Sequence, residues 1–416
     1  MAKISLLEIF NNIWLTGDFP PSWLEATIIP LPKPDKDHTS PNNYRPISLT
    51  SCLCKTFERM VNSRLTWYLE SNKILNDVQS GFRKQRSTTD HLVRLESFVR
   101  EAFVRGEHVV SIFFDLEKAY DTTWKFGILQ DLQNAGLKGR LPLFISKFLA
   151  NRQFRVRIGS CLSDPFKQEM GVPQGSILSV TLFVLKINSI VNCLPASVRG
   201  SLFVDDFLIC YSSKYMPSIE RVLQGCLNKI ESWADNNGFR FSKSKSVCMH
   251  FCNKRIPHSD PSLKIYNTEI PVVTETKFLG LTFDSKLSFK PHIANLKQKC
   301  LKTINLLRVV AHTHWGADSS TLLKLYRCLI RSKFWLWLHG IWISTYVMLG
   351  IVGPSSKCSS ACMSGCFLHN TNHQSLRRSK RNPSVTEEAK VSCAICIKTK
   401  IEPFKPNIYV SIPVQL

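Results

Sequence analysis

The chain predicts an α+β fold, with an antiparallel sheet and helices packed on it. Three observations carry this. Short β-branched and aromatic runs such as Val109 to Phe114 read as buried strands. Longer stretches with helical apolar spacing, such as Leu49 to Leu69, fall between them. Leu202 to Tyr211 reads as strand, turn and strand, the form of an antiparallel hairpin. No internal repeat is present.

The elements follow in order. Residues 4 to 16 read as an amphipathic helix through Ile4, Leu7, Ile9, Ile13 and Leu15. Ala26 to Leu31 reads as a short strand, and Pro30, Pro32, Pro34 and the charged run to Asn43 as a loop. A helix is expected from about Thr88 to Phe103, capped by Ser87 or Thr88 with Asp90 in its first turn. Lys125 to Ala135 reads as a helix ended by Gly136, and Arg152 to Ile158 as a strand. Ser176 to Asn192 and Ile219 to Asn237 read as helices, the second ending at Gly238. Strands are expected at Val247 to Phe251 and Phe278 to Phe283, then helices at about 290 to 312 and 318 to 332.

The 416 residues suffice for two or three domains with a sizeable core. The net charge of +23, from 54 Lys+Arg against 31 Asp+Glu, favours a polyanionic partner, nucleic acid before membrane surface. The 15 cysteines are scattered, and no secretory signal opens the chain. An intracellular protein with reduced thiols is expected, in nucleus or cytoplasm and not secreted. Phe334 to Gly353 has transmembrane length but stands alone in a polar chain. It reads as a buried helix-plus-strand or a segment corrupted in the gene, and a membrane role is not expected.

Chemistry concentrates on three carboxylates. Asp205 and Asp206 sit side by side between apolar runs, and Asp115 ends the strand Val109 to Phe114. Adjacent ionised carboxylates repel, and apolar flanks give them little water. A bound cation offsets that cost. Strands pairing side by side would bring the three together, as a two-metal phosphoryl-transfer site requires, with ions ~3.5–4 Å apart. Asp205-Asp206 taken alone reads equally well as an ordinary hairpin turn.

Other segments decide for the metal. Phe203-Val-Asp-Asp206 is similar to the Tyr/Phe-x-Asp-Asp box of reverse transcriptases, and Phe114-Asp-Leu-Glu-Lys-Ala-Tyr-Asp121 to their first catalytic box. Gly171-Val-Pro-Gln-Gly-Ser-Ile-Leu178 looks like their Pro-Gln-Gly box. Tyr44-Arg-Pro-Ile-Ser-Leu49 and Gln79-Ser-Gly-Phe-Arg83 with Ser87-Thr88 resemble two upstream boxes. In this order and spacing the set most resembles the non-LTR (LINE-type, jockey-like) retrotransposon reverse transcriptases, over roughly residues 14 to 335.

That resemblance implies a right-hand polymerase with fingers, an antiparallel palm and a helical thumb. It implies RNA-directed DNA polymerase activity, with an RNA template, a DNA or RNA primer, deoxynucleoside triphosphates and two Mg2+ ions, or Mn2+ in their place. Asp115, Asp205 and Asp206 would be catalytic and hold the metals with the Leu116 carbonyl. Tyr120 would gate against a ribose 2′-hydroxyl, and Gln174 and Gly175 would lie against the nucleotide. Arg45, Arg83 and Lys84 are candidates to neutralise the triphosphate. Lys245 matches a family lysine that protonates pyrophosphate, and is read almost as readily as a solvated lysine. Lys277-Phe-Leu-Gly280 resembles the primer-grip hairpin, through Phe278, Leu279 and Gly280.

The implied division is a flank at 1–13, fingers and palm at 14–284, a thumb-like segment at 285–335 and an irregular tail at 336–416, disordered or frame-disrupted. Lysines and arginines from Lys286 to Lys333 would line the thumb and track phosphates. The chain departs from the family at Ser179-Val180, where proline is usual, and at Thr122-Thr123-Trp124, where Asp-Arg-Val-Trp is common. Neither removes a ligand. Cys358, Cys362, Cys366, His369, His373, Cys393 and Cys396 invite a zinc reading, but their spacing fits neither a finger nor a knuckle. The missing nuclease-like region suggests a truncated element or partial gene. The rival expectation is a catalytically silent nucleic-acid-binding remnant, and a third is a membrane anchor through 334 to 353. The oligomeric state is not legible.

Overall fold

The computed structural model describes residues 2–34, 36–254, 259–312 and 315–333. The tail at 336–416, the apolar segment from Phe334 and the Cys358 to Cys396 cluster lie outside the described residues. Contacts divide the chain into two units, Met1–Ser288 and Phe289–Leu416.

The first unit opens with α1 (Ala2–Thr16) and the short α2 (Pro21–Leu24). Of the apolar positions expected to face inward on α1, only Ile13 is buried. Ile4, Leu7, Ile9 and Leu15 are exposed, and Phe10 joins Ile13 inside. The buried stripe runs Leu6, Phe10, Ile13, Trp14, one helical face displaced from the expected one.

β1 (Glu25–Pro32) and β2 (Tyr44–Leu49) come next. Pro30 and Pro32 thus belong to a strand, not to the expected loop. β1 pairs antiparallel with β2 over Thr27 to Pro32, but its other edge is paired only over Glu25 to Ile28. A proline lacks an N–H, so it fits where that edge needs no donor. The helix expected from Leu49 begins instead at Cys52, as α3 (Cys52–Ser71), because Leu49 ends β2 and Ser51 accepts the Cys54 N–H. α4 (Thr88–Val104) starts as expected: the Asp90 carboxylate accepts from the Ser87 N–H at 2.8 Å.

β3 (His108–Phe114) is buried at every position. The turn α5 (Ala119–Thr122) and helices α6 (Lys125–Asn134) and α7 (Arg140–Leu149) lead to β4 (Gln153–Ile158), with the short β5 (Cys161–Leu162) and β6 (Phe166–Lys167) beside it. α8 (Ile177–Ile187) continues as a tighter helix over Asn188–Cys193. The hairpin β7 (Arg199–Phe203) and β8 (Asp206–Ser213) precedes α9 (Met216–Asn237), which ends where Gly238 takes φ +73°. β9 (Val247–Phe251), β10 (Lys264–Ile265), β11 (Thr268–Glu269), β12 (Glu275–Phe278) and β13 (Leu281–Asp284) complete the unit. The strand expected over Phe278 to Phe283 is therefore a hairpin, turning where Leu279 has φ +46° and Gly280 φ +90°.

Two sheets organise these elements. The expected antiparallel sheet is present, and its strand order is β7-β8-β3-β9. The other, β2-β1-β4-β5, was not foreseen as a sheet, and β1 and β4 pair in parallel across a long sequence gap. α8 joins the two halves. Phe183 and Ile187 pack with the antiparallel sheet and α9, while Leu178, Leu182 and Leu185 pack with α1, α3, α6 and α7. A helix apolar on all sides is buried on all sides.

In the second unit, Leu296 and Cys300 of α10 (Lys290–Val310) pack with Ile330, which lies in the π-helical turn Arg327–Arg331 that continues α11 (Ser319–Tyr326). Asp318 caps α11 by accepting the Ser320 and Thr321 N–H groups at 2.8 and 3.1 Å; hydrogen bonds from the Ser320 and Thr321 side chains, with these, hold its carboxyl well below the usual range. Among the described residues no helix is long and apolar enough to cross a membrane, and all ten cysteines are free thiols.

Candidate active site

The sheet register sets the three aspartates side by side. Phe114, the last residue of β3, lies opposite Phe207 on β8. One step further brings Asp115 to the level of Asp206, which closes the β7–β8 hairpin opposite Phe203. The hairpin is strained: Val204 has φ +61°, a left-handed conformation that a β-branched residue seldom adopts.

Gln79 holds it there. The fully buried Gln79 side chain accepts the Val204 N–H at 3.2 Å and the Gly81 N–H at 2.8 Å through one oxygen. The Ser80 N–H donates to the Leu202 carbonyl at 3.0 Å. A Cβ at Gly81 would lie 2.3 Å from Val204 Cγ2 and 2.6 Å from its backbone nitrogen, so glycine is required for this approach.

The electrostatics fit carboxylates crowded without enough water. Asp206 is pushed up to about 6, by desolvation first and then by the charges of Asp205 and Asp115. Asp205 is also raised, mainly by desolvation, with Asp115 adding to it. Both residues are nevertheless exposed by surface area. The two descriptions agree if the carboxyls line a concave surface, where solvent reaches them while protein displaces much of their hydration. Among the described residues Lys245 supplies an opposing charge in contact with the group, its Nζ 3.0 Å from Asp115 Oδ2.

A clasp after α9 fixes the end of β3. The Ser242 N–H donates to the Asp115 carbonyl at 2.8 Å, the Glu117 N–H to the Arg240 carbonyl at 2.9 Å, and the Asp115 N–H to the Ser246 hydroxyl at 3.3 Å. Leu116 faces Phe241 within this antiparallel pairing. The flanking residues make its hydrogen bonds, so the Leu116 carbonyl points away from the paired segment.

Tyr120 stacks on Phe183 with ring centroids 4.6 Å apart. Burial pushes its hydroxyl up to about 12, and the Asp205 charge adds to this. Its carbonyl accepts the Val172 N–H at 2.9 Å, which ties the Pro-Gln-Gly loop to the Tyr120 turn. The Gln174 amide donates to Asp121 Oδ1 at 3.1 Å, and its carbonyl accepts the Ser48 N–H of β2 at 2.8 Å. Gly175 has φ +125°, and a Cβ there would meet the Ser48 carbonyl oxygen at 2.5 Å. The Tyr120 turn, the glutamine loop and β2 are thus linked through backbone contacts, and the Asp205 charge reaches Tyr120. Carboxylate and carbonyl oxygens, the atoms that Asp115, Asp205, Asp206 and Leu116 carry, are the donor set a hard divalent cation takes.

The family model for reverse transcriptase (RNA-dependent DNA polymerase) matches residues 31–283. The chain belongs to the reverse transcriptase family. It is 29% identical over 351 residues to a probable RNA-directed DNA polymerase from transposon BS of Drosophila melanogaster, covering 82% of this chain and 38% of that protein. It is 31% identical over 299 residues to the RNA-directed DNA polymerase from mobile element jockey of the same species, covering 70% and 32%. The chain thus spans about a third of the length of these relatives, and its branch is the jockey-like, non-LTR one. An apo telomerase structure from Candida tropicalis aligns with 13% identity over 68% of this chain and 59% of that one, at a TM-score of 0.45, too distant to bear on function. Divalent metals serve reverse transcriptases generally, and the donor set here accords with that. The first unit has the mixed helix and sheet construction of a right-hand polymerase.

Not every expected residue of the reverse transcriptase site joins it. Arg83 is spent on the fold: its guanidinium makes a two-point pair with Glu70 at 2.7 and 2.8 Å and donates to the Asn76 and Gln79 carbonyls. Its side chain is 8% exposed, leaving no face for a triphosphate. The α8 N-terminus, a helix end able to meet a phosphate, is also taken. Glu58 Oε2 accepts the Ser176 hydroxyl at 2.5 Å and the Ile177 and Leu178 N–H groups at 2.7 and 3.2 Å. Arg45 is exposed on β2, opposite Leu31. Phe278 is buried edge-on against Phe113, with Leu279 and Gly280 forming the turn beside it.

Two contributors were missed. Gln79 stood inside a quoted box without a role. Glu58 was visible as a carboxylate among Cys54, Phe57, Val61 and Leu65, on the buried face of α3, where a charge needs a specific partner.

Proposed function

We propose that the chain is the polymerase segment of an RNA-directed DNA polymerase from a non-LTR retrotransposon. It adds deoxynucleotides to a primer 3′-hydroxyl on an RNA template. The observation that carries this reading is the register that places Asp115 beside the Asp205-Asp206 turn. Asp115, Asp205, Asp206 and the Leu116 carbonyl would hold two Mg2+ ions, with Mn2+ as a substitute. Bound there, the ions would lower the cost of ionising the attacking hydroxyl and of developing charge on the leaving pyrophosphate.

The remaining roles belong to side chains. Tyr120, held flat by Phe183, would close the space a ribose 2′-hydroxyl needs. The Gln174–Gly175 backbone would approach the incoming nucleotide closely, because Gly175 carries no Cβ. Lys245, released from Asp115, would hold a proton at Nζ for the pyrophosphate. Arg45 is the exposed arginine left to meet the triphosphate, and the Leu279–Gly280 turn beside Phe278 would support the primer end. Residues 14–284 would act as fingers and palm and 285–335 as thumb, working inside the cell, in nucleus or cytoplasm.

Primer extension on an RNA template tests this. Extension with Mg2+ or Mn2+ is expected from the wild-type chain, with Asp115→Ala and Asp205→Ala each lowering the rate by at least about 10²–10³. Well-folded protein that binds RNA but extends nothing with either metal would instead identify a silent remnant.

A further inference from the structure

At the far end of β3 from the aspartates lies a second cluster. His108, His250 and Cys252 are all buried, and each offers a ligand atom within 4.8 Å of the others'. The register explains the convergence. Val110 lies opposite His250 and Val109 opposite Phe251, so His108 falls opposite Cys252. Side chains two apart on a strand share a face, which puts all three on one face of the β3–β9 pair. The seven residues of β3 separate this cluster from Asp115 by roughly 23 Å.

We propose that His108, His250 and Cys252 bind one divalent transition-metal ion of the zinc class. Two imidazoles and a thiolate suit zinc and do not suit the hard cations of the carboxylate site. The surroundings are those of a ligating set. Asp260 Oδ1 lies 3.0 Å from His250 Nδ1 and takes that N–H, which turns the Nε2 lone pair toward His108. The Lys254 N–H donates to Cys252 Sγ at 3.4 Å, a bond that strengthens when the sulfur is charged. Tetrahedral zinc sets its ligand atoms about 3–4 Å apart, so the pocket closes on the ion with small side-chain shifts.

Without metal, a proton fills the place of the ion. His250 Nε2 and His108 Nδ1 are 2.9 Å apart and share one N–H, and Lys254 Nζ lies 3.0 Å from His108 Nε2. Metal binding moves the His108 proton to Nε2 and releases the Cys252 thiol proton to solvent. The Lys254 ammonium then faces an N–H and must swing away. Lys254 therefore opposes the metal, while Asp260 favours it. The ion would tie the start of β3 to the end of β9, independently of polymerase activity.

Cobalt(II) titration of the whole metal-free chain, followed through its thiolate-to-cobalt absorption, tests this. Other cysteines can contribute, so the reading is the difference between wild type and Cys252→Ser. The expected result is one saturable cobalt site lost in Cys252→Ser, displaced by Zn2+, with a rise in melting temperature on zinc addition in wild type only. Asp260→Asn should weaken that site about 10–100-fold, and Lys254→Met should tighten it. Asp260 is 63% exposed, so both changes spare the core if Cys252→Ser fails to fold. Identical cobalt spectra for wild type and folded Cys252→Ser, or an affinity unmoved by both Asp260→Asn and Lys254→Met, overturn the proposal.

Discussion

Asp206 sets the pH behaviour of the site. Its folded-state value of about 6 lies above the ordinary 3.8, so without metal the native state keeps a proton that the unfolded chain releases. Native stability is therefore expected to fall as pH rises from about 4 to about 6 and to level off above. Melting curves in a chelator should show this decline, and Asp206→Asn should flatten it. Divalent cations need the ionised carboxylate, so they should stabilise the protein more at pH 7 than at pH 5. Lys245 behaves differently. Its pair with Asp115 is exposed on both sides, and such pairs contribute about 0–1 kcal/mol. Lys245→Met should leave the denaturant midpoint nearly unchanged while lowering the single-turnover extension rate. Comparable losses in both would argue that the lysine is only structural.

The elements that matter most to the site are its buttresses. Gln79→Ala removes the acceptor of two buried N–H groups and is expected to cost about 1–3 kcal/mol, read by chemical denaturation. It should lower extension further than that stability loss explains, because Val204 is freed from its left-handed turn. Glu58→Ala uncaps α8 and strands the Ser176 hydroxyl, with a similar expected cost of about 1–3 kcal/mol. Helices such as α4 and α9 were legible because their caps and stop signals, Asp90 and Gly238, are local. The parallel pairing of β1 with β4 was not, because neither strand carries a mark of its distant partner. The outward turn of Leu7 and Ile9 was missed for the same reason: several apolar faces were available on α1, and packing against α7 and α3 chose one.

At the scale of the whole chain, the net charge of +23 bears on polyanion binding. Lys297, Lys299 and Lys302 are exposed on α10. If they contact phosphates, replacing all three with alanine should make the log K against log salt line for single-stranded RNA shallower by roughly two. An unchanged slope would place the backbone contacts elsewhere.

The sequence by itself determined the three aspartates, the order of the boxes around them and most helices, since these rest on residue type and short-range spacing. It also marked Tyr120, Gln174 and Gly175, whose proposed roles rest on motif position. Only the tertiary structure decided which charged groups remain available. Arg83 looked suited to phosphate, but Glu70, 13 residues before it, pairs with it, and Glu58, 118 residues before Ser176, occupies the α8 N-terminus. Packing likewise brought His108, His250 and Cys252 together from segments more than a hundred residues apart, through a register no local pattern specifies. A side chain's chemistry is written in its identity, but its availability depends on what folding places beside it.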